Sequence, residues 1–226
     1  MSLLEGARAA TGHAVIIDVY RAFTTAAFCI AAGAREIVLV GTPAEAFRLA
    51  GRDPSALVVT NPNDFLTGEV GGKPIAGFDA GNSPTAILGL DLTGRRIIQR
   101  SSSGTQGVVA ATAATEILLG SFVTARATCR YLSDYAEEVT LVAMGDEGLQ
   151  PATEDEACAD YLEALLRGGS PARPGFIARP DWTSDRSWPD WFPHTDAELA
   201  CDVDRFDFAL PVTRENGLLI ARPARA

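Results

Sequence analysis

Three stretches of the chain pass from an apolar strand through a polar loop into the start of a helix. They cover residues 14–25, 96–105 and 139–156, and their loops carry carboxylates, arginines and hydroxyls. The carboxyl ends of strands in an open α/β sheet are where ligands bind. Because these side chains suit a divalent metal ion and an oxyanion, the pattern predicts a metal-dependent site for a small phosphorylated molecule.

The loop carboxylates are the candidate metal ligands. Magnesium prefers carboxylate oxygens and retains several waters, so two or three protein ligands would suffice, and the ion could clamp phosphoryl oxygens and activate a water. The chain has only two histidines, which disfavours a His-rich zinc site. The residues alone leave open which carboxylates bind the metal ion; the candidates are Asp18, Glu69, Asp79, Asp146, Glu154 and Asp155. They also leave open that Asp18 only stabilises a turn and that residues 154–156 form a solvated first helical turn.

The candidate anion ligands are arginines and a helix start. Arg21 and Arg100 suit bidentate contacts to phosphate, sulfonate or carboxylate. Residues 101–105 would offer backbone N–H groups and hydroxyls at the beginning of a helix. Ser83 followed by Pro84 predicts another helix start, at the end of a Gly- and Pro-rich loop over residues 67–84.

Composition limits the function classes. The chain has 226 residues, 47% of them hydrophobic and 21% charged, which is typical of a globular protein. Its net charge of −10, without a basic run, disfavours nucleic-acid binding. The apolar runs are too short to span a bilayer and no signal core follows Met1, so we expect a cytoplasmic protein that does not bind membranes.

Several familiar motifs for phosphate and acyl chemistry do not occur in the sequence. There is no Walker loop, no Gly-x-Gly-x-x-Gly fingerprint and no Gly-x-Ser-x-Gly elbow. Cys29 and Arg35 have the Cys-x5-Arg spacing of cysteine phosphatases, but Cys29 falls within a predicted apolar helix instead of at its start. The four cysteines are widely spaced, which predicts neither a disulfide framework nor a zinc site.

Strands and helices alternate along the chain, which predicts an α/β fold. We expect a three-layer α/β/α protein with a mixed sheet, formed as a single domain over residues 1–226. Two similar halves, or two lobes meeting near residues 83–103, are left open. Predicted strands cover residues 14–19, 36–40, 56–60, 96–100, 116–119, 139–144, 206–210 and 218–221. Predicted helices cover residues 24–32, 43–50, 85–90, 108–114, 125–134, 154–167 and 195–202, with an irregular aromatic segment over residues 181–192.

Five motifs, in order, resemble the 2-phosphosulfolactate phosphatases of coenzyme M biosynthesis and their bacterial relatives. The most specific is Gly77-Phe-Asp-Ala-Gly-Asn-Ser-Pro84, preceded by Gly68-Glu69. The others are Asp18-Val-Tyr-Arg-Ala-Phe-Thr-Thr25, Ser103-Gly-Thr105, Gly120-Ser-Phe-Val-Thr-Ala-Arg-Ala127 and Glu154-Asp-Glu-Ala-Cys-Ala159. The similarity spans residues 12–165, with a further similarity in the tail around residues 196–204.

The resemblance implies a magnesium-dependent phosphatase acting on a small acidic phosphate monoester such as 2-phosphosulfolactate. Together with the residues discussed above, it implies the catalytic groups Asp18, Asp79 and Glu69 and the metal ligands Asp18, Asp79, Glu154 and Asp155. The implied substrate-binding residues are Arg21, Thr24, Thr25, Asn82, Ser83, Arg100, Ser103, Gly104 and Thr105. A small phosphate ester is the expected partner, and a homodimer is left open.

Three departures from the family pattern keep alternative functions open. Val70 stands where arginine is common, and Ser103 and Thr124 stand where the family has asparagine. Each substitution removes a donor that could hold an oxyanion. The alternatives are a relative that binds a small anion without catalysis, and a hydrolase or lyase acting on a different small acid.

Overall fold

The computed structural model describes residues 1–52, 63–133, 139–177 and 191–225. The predicted strand over residues 56–60 and most of the predicted aromatic segment lie outside these ranges. The strands are β1 (Gly12–Ile17), β2 (Glu36–Leu39), β3 (Asp64–Val70), β4 (Lys73–Pro74), β5 (Arg96–Arg100), β6 (Ala114–Gly120), β7 (Val139–Ala143), β8 (Pro211–Glu215) and β9 (Leu218–Ala221). The helices are α1 (Leu3–Ala9), α2 (Ala22–Ala31), α3 (Pro43–Ala50), α4 (Pro84–Ile87), α5 (Gly104–Ala110), α6 (Ala125–Ser133), α7 (Thr153–Leu166) and α8 (His194–Ala200), with a 3-10 turn at Phe122–Thr124.

The nine strands of the described residues form one mixed sheet in the order β4-β3-β5-β2-β9-β8-β6-β1-β7. Strands β1, β6 and β7 pair in parallel, and so do β2, β3 and β5. The antiparallel hairpin β8–β9 lies between these two parallel groups. The predicted α/β class and mixed sheet are therefore confirmed. In the described part of the chain, no helix is both long enough and apolar enough to cross a bilayer.

The hairpin sets the relative direction of the two parallel groups. Because β8 and β9 are antiparallel to each other and to their outer neighbours, β1 and β5 run in opposite directions along the sheet. Five strand-to-strand steps separate β1 from β5, and at about 20–25° of twist each they accumulate a rotation of roughly 100–125°. The residues that follow the carboxyl ends of β1 and β5 nevertheless come into contact: the Gly104 amide donates to Asp18 Oδ2 at 2.8 Å.

Side chains alternate across the strands and bury both faces of the sheet. On β1, Ala14 and Ile16 pack into the cluster that contains residues of α2 and α5, whereas Val15 and Ile17 pack with residues of α6 and α7. Helix α3 covers the second face of the other parallel group, against Val38 and neighbouring strand residues. Helices on both faces give the predicted three layers.

Most predicted elements are present, with shifts at their ends. Helix α4 begins as predicted, since the Ser83 hydroxyl accepts from the Ala86 amide at 3.2 Å and Pro84 follows it. The predicted strand over residues 206–210 is wrong: Phe206 stacks on Phe208 and packs edge-on against Phe28, and the strand begins only at Pro211. The predicted loop over residues 67–84 begins inside β3, because that strand continues its parallel pairing with β5 through residue 68. Helix α1 was not predicted.

Candidate active site

A small cleft of about 50 Å³ lies where the chain leaves the carboxyl ends of β1, β3, β5 and β7. It contains carboxylates, one arginine, an amide, three consecutive serines and aromatic rings. The residues that line it are Asp18, Tyr20, Arg21, Ala22, Glu69, Gly72, Asn82, Ser101, Ser102, Ser103, Gly145, Asp146, Glu147, Trp191 and Phe192.

Asp18 follows the last residue of β1 and is 3% exposed. Its Oδ1 accepts from the Ala22 amide at 3.0 Å and its Oδ2 from the Gly104 amide at 2.8 Å, so the first residues of α2 and α5 both hold it. Gly104 allows this close approach: a Cβ there would lie 2.6 Å from Asp18 Oδ2. Asp18 therefore fixes a turn and also presents its carboxylate to the cleft.

Arg21 crosses the cleft toward the chain segment around α8. Its Nη1 donates to Asp196 Oδ2 at 2.7 Å and to the Trp191 carbonyl at 3.0 Å, and its Nη2 donates to the Gly72 carbonyl at 3.3 Å. The guanidinium carbon lies 4.5 Å from the centre of the Phe192 ring, which is within range of a cation–π contact. Arg21 is therefore held in one orientation.

Asp196, on α8, is the main site residue that our sequence-based assignment missed. It is fully buried, and its Oδ1 accepts from the Ser83 hydroxyl at 2.8 Å and from the Thr85 amide at 2.9 Å. It thereby joins Arg21 to the start of α4. The similarity in the tail near residue 196 was the only signal that could have indicated it.

Glu69 and Arg100 bind the loop after β5. The Glu69 carboxylate accepts from the Ser102 amide, from the Ser102 hydroxyl at 3.1 Å and from the Gly72 amide at 2.7 Å. Arg100 Nη1 donates to the Glu69 carbonyl at 2.5 Å and to the Ser102 hydroxyl at 3.0 Å. Glu69 lines the cleft, whereas Arg100 is not among the lining residues and joins β3 to this loop.

Asp155 and Glu154 are buried in the first turn of α7, so they do not form a solvated helical turn. Asp155 accepts from the Val19 amide at 2.7 Å and from the Gly145 amide at 2.8 Å, and so joins the ends of β1 and β7. Burial, and then the charges of Glu154 and Asp18, raise the pKa of Asp155 well above its usual value. Both carboxylates lie outside the lining of the cleft.

Asp79 also lies outside the lining. Its Oδ2 accepts from the Leu66 amide at 2.7 Å and lies 2.9 Å from Nη2 of Arg52, whose side chain is 6% exposed. These contacts join the loop before α4 to β3 and to the segment after α3. In this structure Asp79 therefore supports the fold around the cleft.

The predicted substrate-binding residues divide into lining and supporting groups. Asn82 lines the cleft, and its amide joins the Arg100 carbonyl and Gln99, while Ser103 lines it and donates to the Gly145 carbonyl at 2.7 Å. The remaining residues make supporting contacts. Thr24 donates to the Val19 carbonyl, Thr105 exchanges hydrogen bonds with Ser101, Ser83 binds Asp196, Gly104 binds Asp18, and Thr25 is buried on α2.

The carboxylates that line the cleft suit a magnesium ion that also binds waters and phosphate, and not an ion held by protein ligands alone. Among the residues that the structure describes, no three His, Cys, Asp or Glu side chains are grouped so as to hold a metal ion by themselves. Magnesium needs only one or two carboxylates when waters and substrate phosphate supply the other oxygens. Asp18, Glu69, Asp146 and Glu147 bring such oxygens to the cleft, without histidine or cysteine.

Comparison with known proteins agrees with the motifs in the cleft. A family model described as 2-phosphosulpholactate phosphatase matches residues 2–180. The chain belongs to this family. The matched range includes the cleft residues from Asp18 to Glu147 but ends before Trp191, Phe192 and Asp196.

Individual members of the phosphosulfolactate phosphatase family show the same relationship. Proteins of Bacillus subtilis and Carboxydothermus hydrogenoformans, each named a probable 2-phosphosulfolactate phosphatase, are 34% and 40% identical over 68% and 67% of this chain. A Thermus thermophilus protein of the same name is 33% identical over 78% of the chain. The match spans 64% and 59% of the first two relatives' own length and 70% of the third.

Proposed function

We propose that this protein is a magnesium-dependent phosphatase that hydrolyses a small acidic phosphate monoester such as 2-phosphosulfolactate. The observation that carries the proposal is the cleft in which Asp18, Arg21 and the serines at 101–103 come together at strand ends. Membership of the phosphosulfolactate phosphatase family supports the choice of reaction. A cytoplasmic location remains a prediction from the sequence, and a homodimer is left open.

In this proposal Arg21 binds the anion. A guanidinium group carries five N–H donors, and Arg21 uses three hydrogen bonds to described residues, so it has donors left to point at an oxyanion. The chain carries a net charge of −10, which repels an anionic substrate at long range. A fixed arginine and a bound cation would offset that repulsion within the cleft.

Asp18, Glu69 and Asp146 are the residues that would hold magnesium. The ion, when bound, would supply charge stabilisation to the phosphoryl oxygens and would lower the pKa of a coordinated water. We assign Asp18 to the reacting centre because it lines the cleft and two backbone amides fix its carboxylate there. Glu69 closes the side formed by β3 and keeps the loop at Ser102 in place.

The test is phosphate release from a panel of phosphorylated hydroxy acids, including phosphosulfolactate, with magnesium and with excess chelator. We expect release that requires magnesium, and calorimetry should show magnesium binding that Asp18→Asn weakens. The matched control is Asp160→Asn on α7, a position outside the cleft lining, which should leave both quantities unchanged. Full activity in chelator would remove the metal from the proposal, and the absence of phosphate release from every ester would remove the phosphatase activity.

A second candidate is a relative that binds a small anion and catalyses poorly. It is favoured by Ser103, whose hydroxyl donates to the Gly145 carbonyl, and by Val70, which is 49% exposed and offers no donor. In that case calorimetry would detect phosphate binding while phosphosulfolactate stayed intact. Efficient hydrolysis of phosphosulfolactate would instead show that the departures at positions 70, 103 and 124 are harmless.

A further inference from the structure

We infer that Asp196 is a positioning residue that holds Arg21 ready for the anion. Asp196 lies beyond the range matched by the family model, which ends at residue 180. The inference rests on the proposed function, since it takes Arg21 to be the group that binds an anionic part of the substrate. It adds to that function by assigning part of the cleft's affinity for the anion to the segment around α8.

The contacts of Asp196 leave its carboxylate one orientation. Both oxygens accept hydrogen bonds of 2.7–2.9 Å. The donors are the charged Arg21 side chain, the Ser83 hydroxyl and the Thr85 amide. The residue is 0% exposed, so water does not compete for these bonds. Because Ser83 and Thr85 belong to the start of α4, the carboxylate is anchored to a rigid element as it binds the arginine.

The rest of the segment fixes the plane of the guanidinium group. The Trp191 carbonyl accepts from the same Nη1 as Asp196, and the rings of Trp191 and Phe192 lie 5.4 Å and 4.5 Å from the guanidinium carbon. On the other side, Trp191 packs against Gly72, where a Cβ would lie 2.5 Å from the ring. Arg21 is therefore held between α8, the aromatic pair and the turn between β3 and β4.

This arrangement has two opposite effects on an incoming anion. The Asp196 carboxylate balances the charge of Arg21 and repels the anion, which weakens binding. The same carboxylate removes the rotamer freedom of a long side chain before the ligand arrives, which strengthens binding. We expect positioning to outweigh repulsion. An arginine that has lost its buried partner would move out of this site and turn toward solvent, where it could no longer bind the anion in the cleft.

The test is a double-mutant cycle read by binding of inorganic phosphate and by steady-state kinetics. Asp196→Asn should raise the Kd for phosphate and the KM about tenfold or more, the effect of losing a charge-assisted hydrogen bond, with a much smaller change in kcat. In an Arg21→Lys background the same change should add little, because Asp196 acts through the guanidinium group. Ser83→Ala removes one hydrogen bond that anchors Asp196 and should also raise the Kd for phosphate. It replaces Asp196→Asn in the test if that variant does not fold.

The matched control is Asp64→Asn. Asp64 is 2% exposed and its carboxylate pairs with Arg96 at 2.6 Å and 2.9 Å, but neither residue lines the cleft. This variant should lower the melting temperature and leave Kd and KM unchanged, which separates a loss of stability from a loss of positioning.

The outcomes separate this inference from the proposed function. The inference would be overturned if Asp196→Asn bound phosphate as tightly as the unaltered protein or more tightly. It would also be overturned if the effects of Asp196→Asn and Arg21→Lys were fully additive. In either case, hydrolysis by the unaltered protein would still support the proposed function. A protein that binds phosphate through Arg21 and Asp196 but hydrolyses no ester would lose the function and keep the inference. A protein that binds no phosphate would overturn the inference.

Discussion

Adding one methyl group at Gly104 should damage the cleft, because Gly104 lies directly against Asp18. A Cβ at this position would lie 2.6 Å from Asp18 Oδ2, 2.8 Å from Asp18 Cβ and 2.9 Å from Phe23 Cζ. Asp18 and Phe23 are 3% and 1% exposed, so neither can move into solvent without disturbing the surrounding core. Gly104→Ala must therefore push the Asp18 carboxylate away from the Gly104 amide.

The magnitude follows from these contacts. Overpacking a buried site costs about 1–3 kcal/mol, and losing the charged hydrogen bond from the Gly104 amide costs about 1.5–3 kcal/mol. The two costs overlap, because one displacement of Asp18 relieves the clash and breaks the bond, so we expect a loss of about 2–4 kcal/mol in the free energy of unfolding. For a chain of this size that lowers the melting temperature by roughly 4–16 °C.

Urea denaturation and a phosphate-release assay together measure both consequences. Turnover should fall by about a hundredfold or more, because Asp18 is displaced from the reacting centre. Gly41→Ala is the matched control: among the described residues its Cβ would meet only Gln106 and Val109, at 3.9 Å and 4.0 Å, so stability and turnover should hardly change. If Gly104→Ala melted within a degree of the unaltered protein and kept its turnover, the close packing of Asp18 against α5 would be refuted as a requirement.

Three further predictions concern residues outside the lining of the cleft. Asp79→Asn should lower the melting temperature, because it removes the carboxylate that pairs with Arg52, and should change turnover by less than about threefold; a hundredfold loss would instead make Asp79 a catalytic group. Hydrogen bonds from Arg222 and then Thr213 lower the pKa of Glu215 from 4.5 to about 2, so the stabilisation it gives β8–β9 is complete above pH 4.5 and is lost as the pH falls through about 2. The melting temperatures of the unaltered protein and Glu215→Gln should therefore converge as the pH falls over that range, and a constant difference would exclude the pair as a source of stability. Burial raises the pKa of Cys29 and of Cys129 to about 12, so a thiol reagent at pH 8 should label the part-exposed Cys201 first; rapid labelling of Cys29 would support the reactive-cysteine interpretation of its spacing to Arg35.

Local signals in the sequence predicted the features that depend on neighbouring residues. Ser83 and Pro84 begin a helix because capping and a fixed proline φ act within one turn. The alternation of apolar strands and polar loops correctly indicated that Asp18 and Ser103 would line one cleft. Both inferences use only a few adjacent residues and the general rule that ligands bind at strand ends.

Features that depend on distant partners were not predictable in the same way. Arg100 was expected to bind the anion, but its guanidinium group reaches the Glu69 carbonyl, which only the register of β3 on β5 brings near. Asp79 was expected in the cleft, but Arg52 competes for its carboxylate. Asp196 comes from a segment separated in sequence from the motifs, so no local pattern could show that it would bind Arg21.

The position of the β8–β9 hairpin has a consequence for how the protein acquires its structure. Residues 211–221 occupy the centre of the sheet, and in the described part of the chain they alone connect the two parallel groups by strand pairing. During synthesis the strands from β1 to β7 emerge first, so each group has an unpaired edge until the hairpin inserts. Because these pairings link residues far apart in sequence, we expect insertion of the hairpin to be the slow step of folding. Until the hairpin has inserted, the nascent chain depends on protection of those unpaired strand edges.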